Sequence, residues 1–172
     1  TIRVLHLMRT DTDQYLLENA ATAADNVNGR IQDDLANLEL TARTCANLPD
    51  RASRLAHLQT LAGGQALDKV ALVEPDGTVC RANGMIYHMA DDPIIQQILG
   101  GATRITLSSS FSPEPTPALI YAAPIRSTDG TILGGLIWRD QKRLVSRWFP
   151  EDEVDRTLIV GSDGTILLNR DQ

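Results

Sequence analysis

Aromatic residues make up only 4% of this 172-residue chain, cysteine occurs twice and histidine three times. Cys45 and Cys80 carry no CxxC or other metal spacing, so they read as two buried free thiols or as one helix-to-strand disulfide in an oxidising compartment. His6, His57 and His88 fall in different segments without HxH or HxxxH spacing, which argues against a metal site. GxSxG, phosphate-loop and dinucleotide fingerprints are missing, and no residue set assembles a nucleophile, a base and an oxyanion donor. No catalytic residue, metal or cofactor is therefore expected, and the chain is not read as an enzyme. An excess of basic residues is also lacking: 16 Lys and Arg against 22 Asp and Glu give a net charge of -6, which disfavours nucleic acid. One basic cluster, Arg139, Lys142, Arg143 and Arg147, runs straight into Glu151, Asp152, Glu153 and Asp155 and reads as a solvated face. No apolar run approaches the roughly 20 residues that span a bilayer. The chain starts at Thr1 with no charged-then-apolar signal segment, and it reads as a fragment of something longer.

What is present is a repeated turn. Asp-Gly-Thr occurs at Asp76-Gly77-Thr78, Asp129-Gly130-Thr131 and Asp163-Gly164-Thr165, each time between apolar, β-branched runs. Asp-Gly suits a two-residue hairpin turn, whose central residues need positive φ. With 42% apolar and 22% charged residues the composition is that of an ordinary globular domain with one core. Hairpins behind a helical N-terminal third predict an α+β domain, an antiparallel sheet with helices on one side.

Apolar positions from Leu16 through Ala20, Ala24, Val27, Ile31, Leu35, Leu38 and Ala42 to Cys45 recur about every 3.6 residues, the helical period. This predicts a helix over about 12–47, capped by Asp11 or Asp13 and ended at Leu48-Pro49-Asp50, much longer than the globular mean of about 11 or 12 residues. A helix on the order of 50 Å outruns a small sheet. Its overhanging half is expected to pair with the same helix of a second subunit; the alternative is that it lies wholly along its own domain. A second helix is expected over Arg51–Ala62, stopped by Gly63-Gly64, and a third over Pro93–Leu99 behind the cap Asp92. Strands are expected at about 69–75, 78–83, 103–110, 118–125 and 131–139, with 83–92 irregular, a short helix over 141–149 and a terminal hairpin. Gly134-Gly135 within a strand reads as a bulge or a close backbone approach.

This order of elements, with Val73-Glu74-Pro75-Asp76-Gly77-Thr78-Val79, a strand ending near Ser108-Ser109, Pro117 to Ile125, and Asp129 to Leu136, resembles the Cache domains, the extracellular PAS-like sensor modules of bacterial receptors. The likeness covers about residues 12–140. It implies a PAS-like sheet of about five strands plus a C-terminal hairpin behind a long N-terminal helix. It also implies an extracytoplasmic sensor of a bacterial transmembrane receptor (a histidine kinase, chemoreceptor or diguanylate cyclase), held to the membrane only by flanking helices outside this chain. The division expected is 1–48 as a signalling and dimerisation helix, 49–150 as the sensor core, and 151–172 as the terminal hairpin. Residues 157–170 look like a second copy of 70–83, so that hairpin is a truncated membrane-proximal module, a module shrunk to one hairpin, or a part of the main sheet.

In the family the ligand lies between one sheet face and the irregular segment and short helix that cover it. Here the cover includes Tyr87 and His88. Strand alternation places Arg104, Thr106, Ser108 and Ser110 on one face, a cation with hydroxyls, and that chemistry suits a small carboxylate. Tyr121 on the next strand adds a phenol. The candidate ligand residues are therefore Arg104, Ser108, Ser110, Tyr121, Tyr87 and His88. Family members that bind amino acids carry aromatic residues just after an arginine in this region. None follows Arg104 closely, so amino-acid specificity is not expected. The rival expectations are a ligand-free dimerisation or interaction module, its pocket filled by Met85, Met89, Tyr87 and Phe111, and a cytoplasmic PAS-type domain.

Overall fold

In a computed structural model the described residues are 2–63, 69–108, 118–141, 159–160 and 166–168, with side chains left undescribed at 2–17, 19, 20, 23, 107, 141 and in the two short terminal strands. The chain divides into two compact units, Thr1–Asp34 and Leu35–Gln172. Helix α1 is Ile2–Ala46, 45 residues. It starts well before the expected caps: Asp11 and Asp13 lie inside it, because a single aspartate costs an α-helix only a few tenths of a kcal/mol and no Gly or Pro interrupts residues 1–13. In the first unit, Val27 is buried while Ala24 is exposed. In the second unit the apolar stripe is the buried side, at Leu38, Ala42 and Cys45. Helix α2 is Arg51–Ala62; the Asp50 side chain caps it by accepting the Ser53 N–H at 2.7 Å, and Leu58 is its buried anchor. Both cysteines are free and buried, and burial raises both thiol pKa values.

Strands β1 (Val70–Val73), β2 (Thr78–Arg81), β3 (Ile86–His88), β4 (Arg104–Ser108), β5 (Ala118–Arg126) and β6 (Ile132–Gln141) form one antiparallel sheet in the order β3-β2-β1-β6-β5-β4. That is one strand more than expected. Strand β3 falls in the stretch read as irregular, since three residues at a sheet edge, two of them exposed, show no alternation to read. Strands β7 (Ile159–Val160) and β8 (Ile166–Leu168) pair in a separate two-stranded sheet. The helix expected over 141–149 lies outside the described residues, apart from Gln141, which ends β6.

Two of the Asp-Gly turns are wider than two residues and share one geometry. Glu74 N–H donates to Thr78 O at 2.8 Å and Gly77 N–H to Glu74 O at 3.0 Å; Ser127 N–H donates to Thr131 O at 2.9 Å and Gly130 N–H to Ser127 O at 3.0 Å. Three residues thus lie between the paired ends, a type I turn followed by a glycine at φ 81° or 89°. Asp76 and Asp129 each accept the N–H of the threonine two residues on, at 2.9 and 3.0 Å, so Asp-Gly-Thr works as a unit. The third copy lies outside the described residues.

The Ser127 hydroxyl and the Thr131 amide hold the Asp129 carboxyl at a pKa of about 2. Because the folded value lies below the ordinary aspartate value, its contribution is complete above about pH 4 and is lost as pH falls toward 2. The expected result is that Asp129→Asn melts below the parent protein at pH 5, and that the gap closes by pH 2. Thermal melts across that range check it, and a gap independent of pH would refute it.

Helix α3 (Pro93–Leu99) begins where the Asp92 carboxylate accepts the Ile94 N–H at 2.8 Å. It covers one sheet face: Ile95 and Ile98 pack with Ala71, Val73, Val79, Ala118, Ile120, Ala122 and Ile137. Gly135 makes that packing possible, since a Cβ there would overlap Ile98 Cγ2. Gly134, at φ 136°, lies against the Val73 carbonyl oxygen, where a Cβ would also overlap. The paired glycines are thus a close approach on both sides, beside the register shift at Ile125/Arg126.

Candidate functional site

Register and alternation decide which side chains share the face under α3. The ladder pairs Arg104 with Ala122, Thr106 with Ile120 and Ser108 with Ala118, and these β5 residues belong to the core beneath α3. Arg104, Thr106 and Ser108 therefore lie on the α3 face. The Arg104 side chain is exposed and makes no hydrogen bond or ion pair among the described residues, while Thr106 and Ser108 are half-buried. Tyr87 is on the same face, opposite Val79, at the far edge of the sheet. Five strand spacings separate β3 from β4, on the order of 20 Å along the sheet. One small molecule does not bridge these two edges.

Tyr121 and His88 do not join them. Tyr121 pairs with Ile105 and Trp138, one residue out of phase with Arg104, and its side chain is 1% exposed on the opposite face. That face carries Leu72 and Cys80, and the charge of Arg51, in α2, is felt at Cys80. His88 sits opposite Thr78, out of phase with Tyr87, and is exposed, its Nδ1 3.1 Å from the Thr78 hydroxyl. Ser110 lies outside the described residues, as does Phe111. Of the remaining pocket-filling candidates, Met85 is 44% exposed, whereas Met89 and Tyr87 pack against the core.

Two further cations share the α3 face. Arg81 and Arg139 are each 4% exposed, and both stand in phase with core residues, Val79 and Ile137. Arg139 thus belongs to β6 and the interior rather than to a solvated basic face. The Arg81 guanidinium lies over the Tyr87 ring, 5.2 Å from its centroid, an attraction between a cation and the π face. Among the described residues no carboxylate pairs with Arg81. A cation set into the sheet beside an aromatic ring favours an anion brought next to it. Sequence reasoning passed over Arg81, although an arginine alternating with Val79 in a buried strand was the available signal. No metal-binding cluster of His, Cys, Asp and Glu occurs among the described residues, and no helix there is long and apolar enough to cross a membrane.

No family model and no curated relative matches the sequence. Solved structures do match. The ligand-binding domain of the Pseudomonas aeruginosa amino acid chemoreceptor PctC, in complex with GABA, aligns with a TM-score of 0.78 at 20% identity, covering 94% of this chain and 77% of that one. The corresponding domain of the Pseudomonas fluorescens chemoreceptor CtaA, in complex with L-leucine, gives 0.79 at 17% identity over 96% of this chain and 73% of that one. That of Campylobacter jejuni Tlp3, in complex with 4-methylisoleucine, gives 0.67 at 14% identity over 86% and 65%. The chain thus has the α+β, PAS-like fold of the ligand-binding domains of bacterial chemoreceptors, the architecture of the Cache resemblance.

Proposed function

We propose that this chain is the extracytoplasmic sensing domain of a bacterial transmembrane receptor, and that it binds a small carboxylate on the sheet face under α3. The observation that carries the site is Arg81, buried against Tyr87 with no carboxylate partner among the described residues. Arg139 lies on the same face, and Arg104, Thr106 and Ser108 form a second polar group at the β4 edge. The fold supports the receptor reading, since each of the three aligned domains is a chemoreceptor domain solved with a small molecule. The chain binds and signals; it does not catalyse. Residues 1–48 carry the signal and pair with the same helix of a second subunit, 49–150 form the sensor core, and 151–172 form a terminal hairpin. The exposure of Ala24 within the apolar stripe favours such pairing. Flanking helices outside this chain supply the membrane attachment.

The test is a thermal-unfolding screen against small carboxylates, amino acids, sugars, amines and nucleobases. A ligand at about 100 times its Kd adds roughly 2.7 kcal/mol, which for a domain of this size raises Tm by about 5 to 10 °C. The expected result is such a rise with a carboxylate, lost in Arg81→Gln. A flat response across the panel would favour a ligand-free interaction module instead.

A further inference from the structure

A second cleft lies within the unit Leu35–Gln172, beside the turn that leaves α3. It has a volume of about 300 Å³ and is lined by Glu39 and Arg43 of α1, Thr103 at the entry to β4, and Pro124, Arg126 and Ser127 at the end of β5. That volume is at the lower end of small-molecule sites, about 300–1,000 Å³, and suits a compact ligand. Its charged groups are held unequally. The Thr103 hydroxyl donates to Glu39 Oε1 at 3.2 Å, which fixes the single carboxylate against the cleft wall. Arg126 Nη2 donates to the Gly101 carbonyl oxygen. Gly101 stands at φ 88°, with that same Nη2 close beside its Cα. The guanidinium of Arg43, one helical turn beyond Glu39, has no hydrogen bond or ion pair among the described residues.

Two guanidiniums against one carboxylate leave the cleft with a net positive charge in a chain whose overall charge is -6. We infer that this cleft is a binding site for a compact oxyanion, held between Arg43 and Arg126. Guanidinium groups recognise both carboxylate and phosphate oxygens by paired N–H donors, so the shared chemistry is the oxyanion. Because Arg43 belongs to α1 and Arg126 to the end of β5, the anion ties the C-terminal part of α1 to the β5–β6 turn. This inference does not rest on the carboxylate site under α3.

The experiment titrates the protein with acetate, inorganic phosphate and sulfate in separate arms, with chloride holding ionic strength constant. The arginine Nε–H signals are followed by NMR. The expected result is saturable movement of the Arg43 and Arg126 signals in at least one arm. Arg43→Gln weakens that response about tenfold or more. Saturation with acetate alone assigns a carboxylate, and saturation with phosphate or sulfate assigns a tetrahedral anion. Either supports the site. Linear, non-saturating movement in all three arms overturns it, as does an unchanged response in Arg43→Gln. Arg126→Lys serves as a second variant, keeping the charge while losing the paired donors, and an undiminished response in it also overturns the site. The behaviour of Arg81→Gln toward its own ligand separates failure of this inference from failure of the sensor reading.

Discussion

Gly134→Ala is expected to lower stability by about 3 kcal/mol or more, and Gly130→Ala by only about 1 to 2 kcal/mol. Both glycines adopt positive φ, 136° and 89°, so both substitutions carry a backbone cost. They differ in what a methyl group meets. At Gly130 nothing lies within 4 Å, whereas at Gly134 a Cβ overlaps the Val73 carbonyl oxygen of the neighbouring strand. Backbone cannot rotate aside as a side-chain tip can, so β1 and β6 must separate locally. Their pairing, from Val70↔Trp138 to Val73↔Gly135, joins the two halves of the six-stranded sheet. At roughly 2 to 4 °C per kcal/mol, the Gly134 variant melts at least about 6 °C below the parent and the Gly130 variant about 2 to 8 °C below it. Equal melting temperatures for the two variants would show that the close approach between β1 and β6 contributes nothing.

Tyr121→Ala and Arg104→Ala are expected to fail in opposite ways. Tyr121 is among the largest fully buried side chains, and removing an aromatic ring from such a position costs about 3 to 5 kcal/mol. Arg104 is exposed on an edge strand, and its loss changes stability by no more than about 0.5 kcal/mol. For a carboxylate bound at the β4 edge, as distinct from one held at Arg81, the order reverses. Arg104→Ala weakens its binding by roughly tenfold or more, because a charge-assisted hydrogen bond is worth about 1.5 to 3 kcal/mol. Tyr121→Ala, on the opposite face, leaves the affinity of the folded fraction within about threefold. Denaturant unfolding and calorimetric titration of both variants check this. A Tyr121 variant that keeps full stability but loses the ligand would place the pocket on the other face of the sheet.

Where one face of an element is apolar and its ends are marked, the amino-acid order was readable. Helix α2 spans Arg51–Ala62 and α3 spans Pro93–Leu99, the ranges expected from the Gly63-Gly64 stop and the Asp92-Pro93 start. The C-terminal end of α1 was equally legible, because Pro49 follows it closely. Its start was not, because an aspartate inside a helix looks like an aspartate that caps one. The site was harder for a different reason. Arg104, Thr106 and Ser108 share a face by alternation within one strand, which needs no partner. Whether Tyr121 joins them depends on register with the next strand, and a slip of one residue reverses the answer. That register is set by how the chain returns between β4 and β5, which local composition does not encode. Arg81 was passed over, and Arg139 was read as part of a solvated basic face, because charged residues in strands are ordinarily solvated. Here their neighbours two residues away, Val79 and Ile137, are core.

The order β3-β2-β1-β6-β5-β4 has a consequence for the chain while it is being made. Strands β1 to β3 can pair as soon as they leave the ribosome, but the other edge of β1 waits for β6, about 60 residues later. At roughly 5 to 20 residues per second that wait lasts about 3 to 12 s. Throughout it, the N–H and C=O groups along one side of Val70–Val73, an apolar tetrapeptide, have no native partner in the sheet. An open, apolar strand edge is a template for mispairing with another chain. The nascent protein is thus most vulnerable to aggregation in the seconds before Ile132 emerges, and a chaperone that covers β1 would act in that interval.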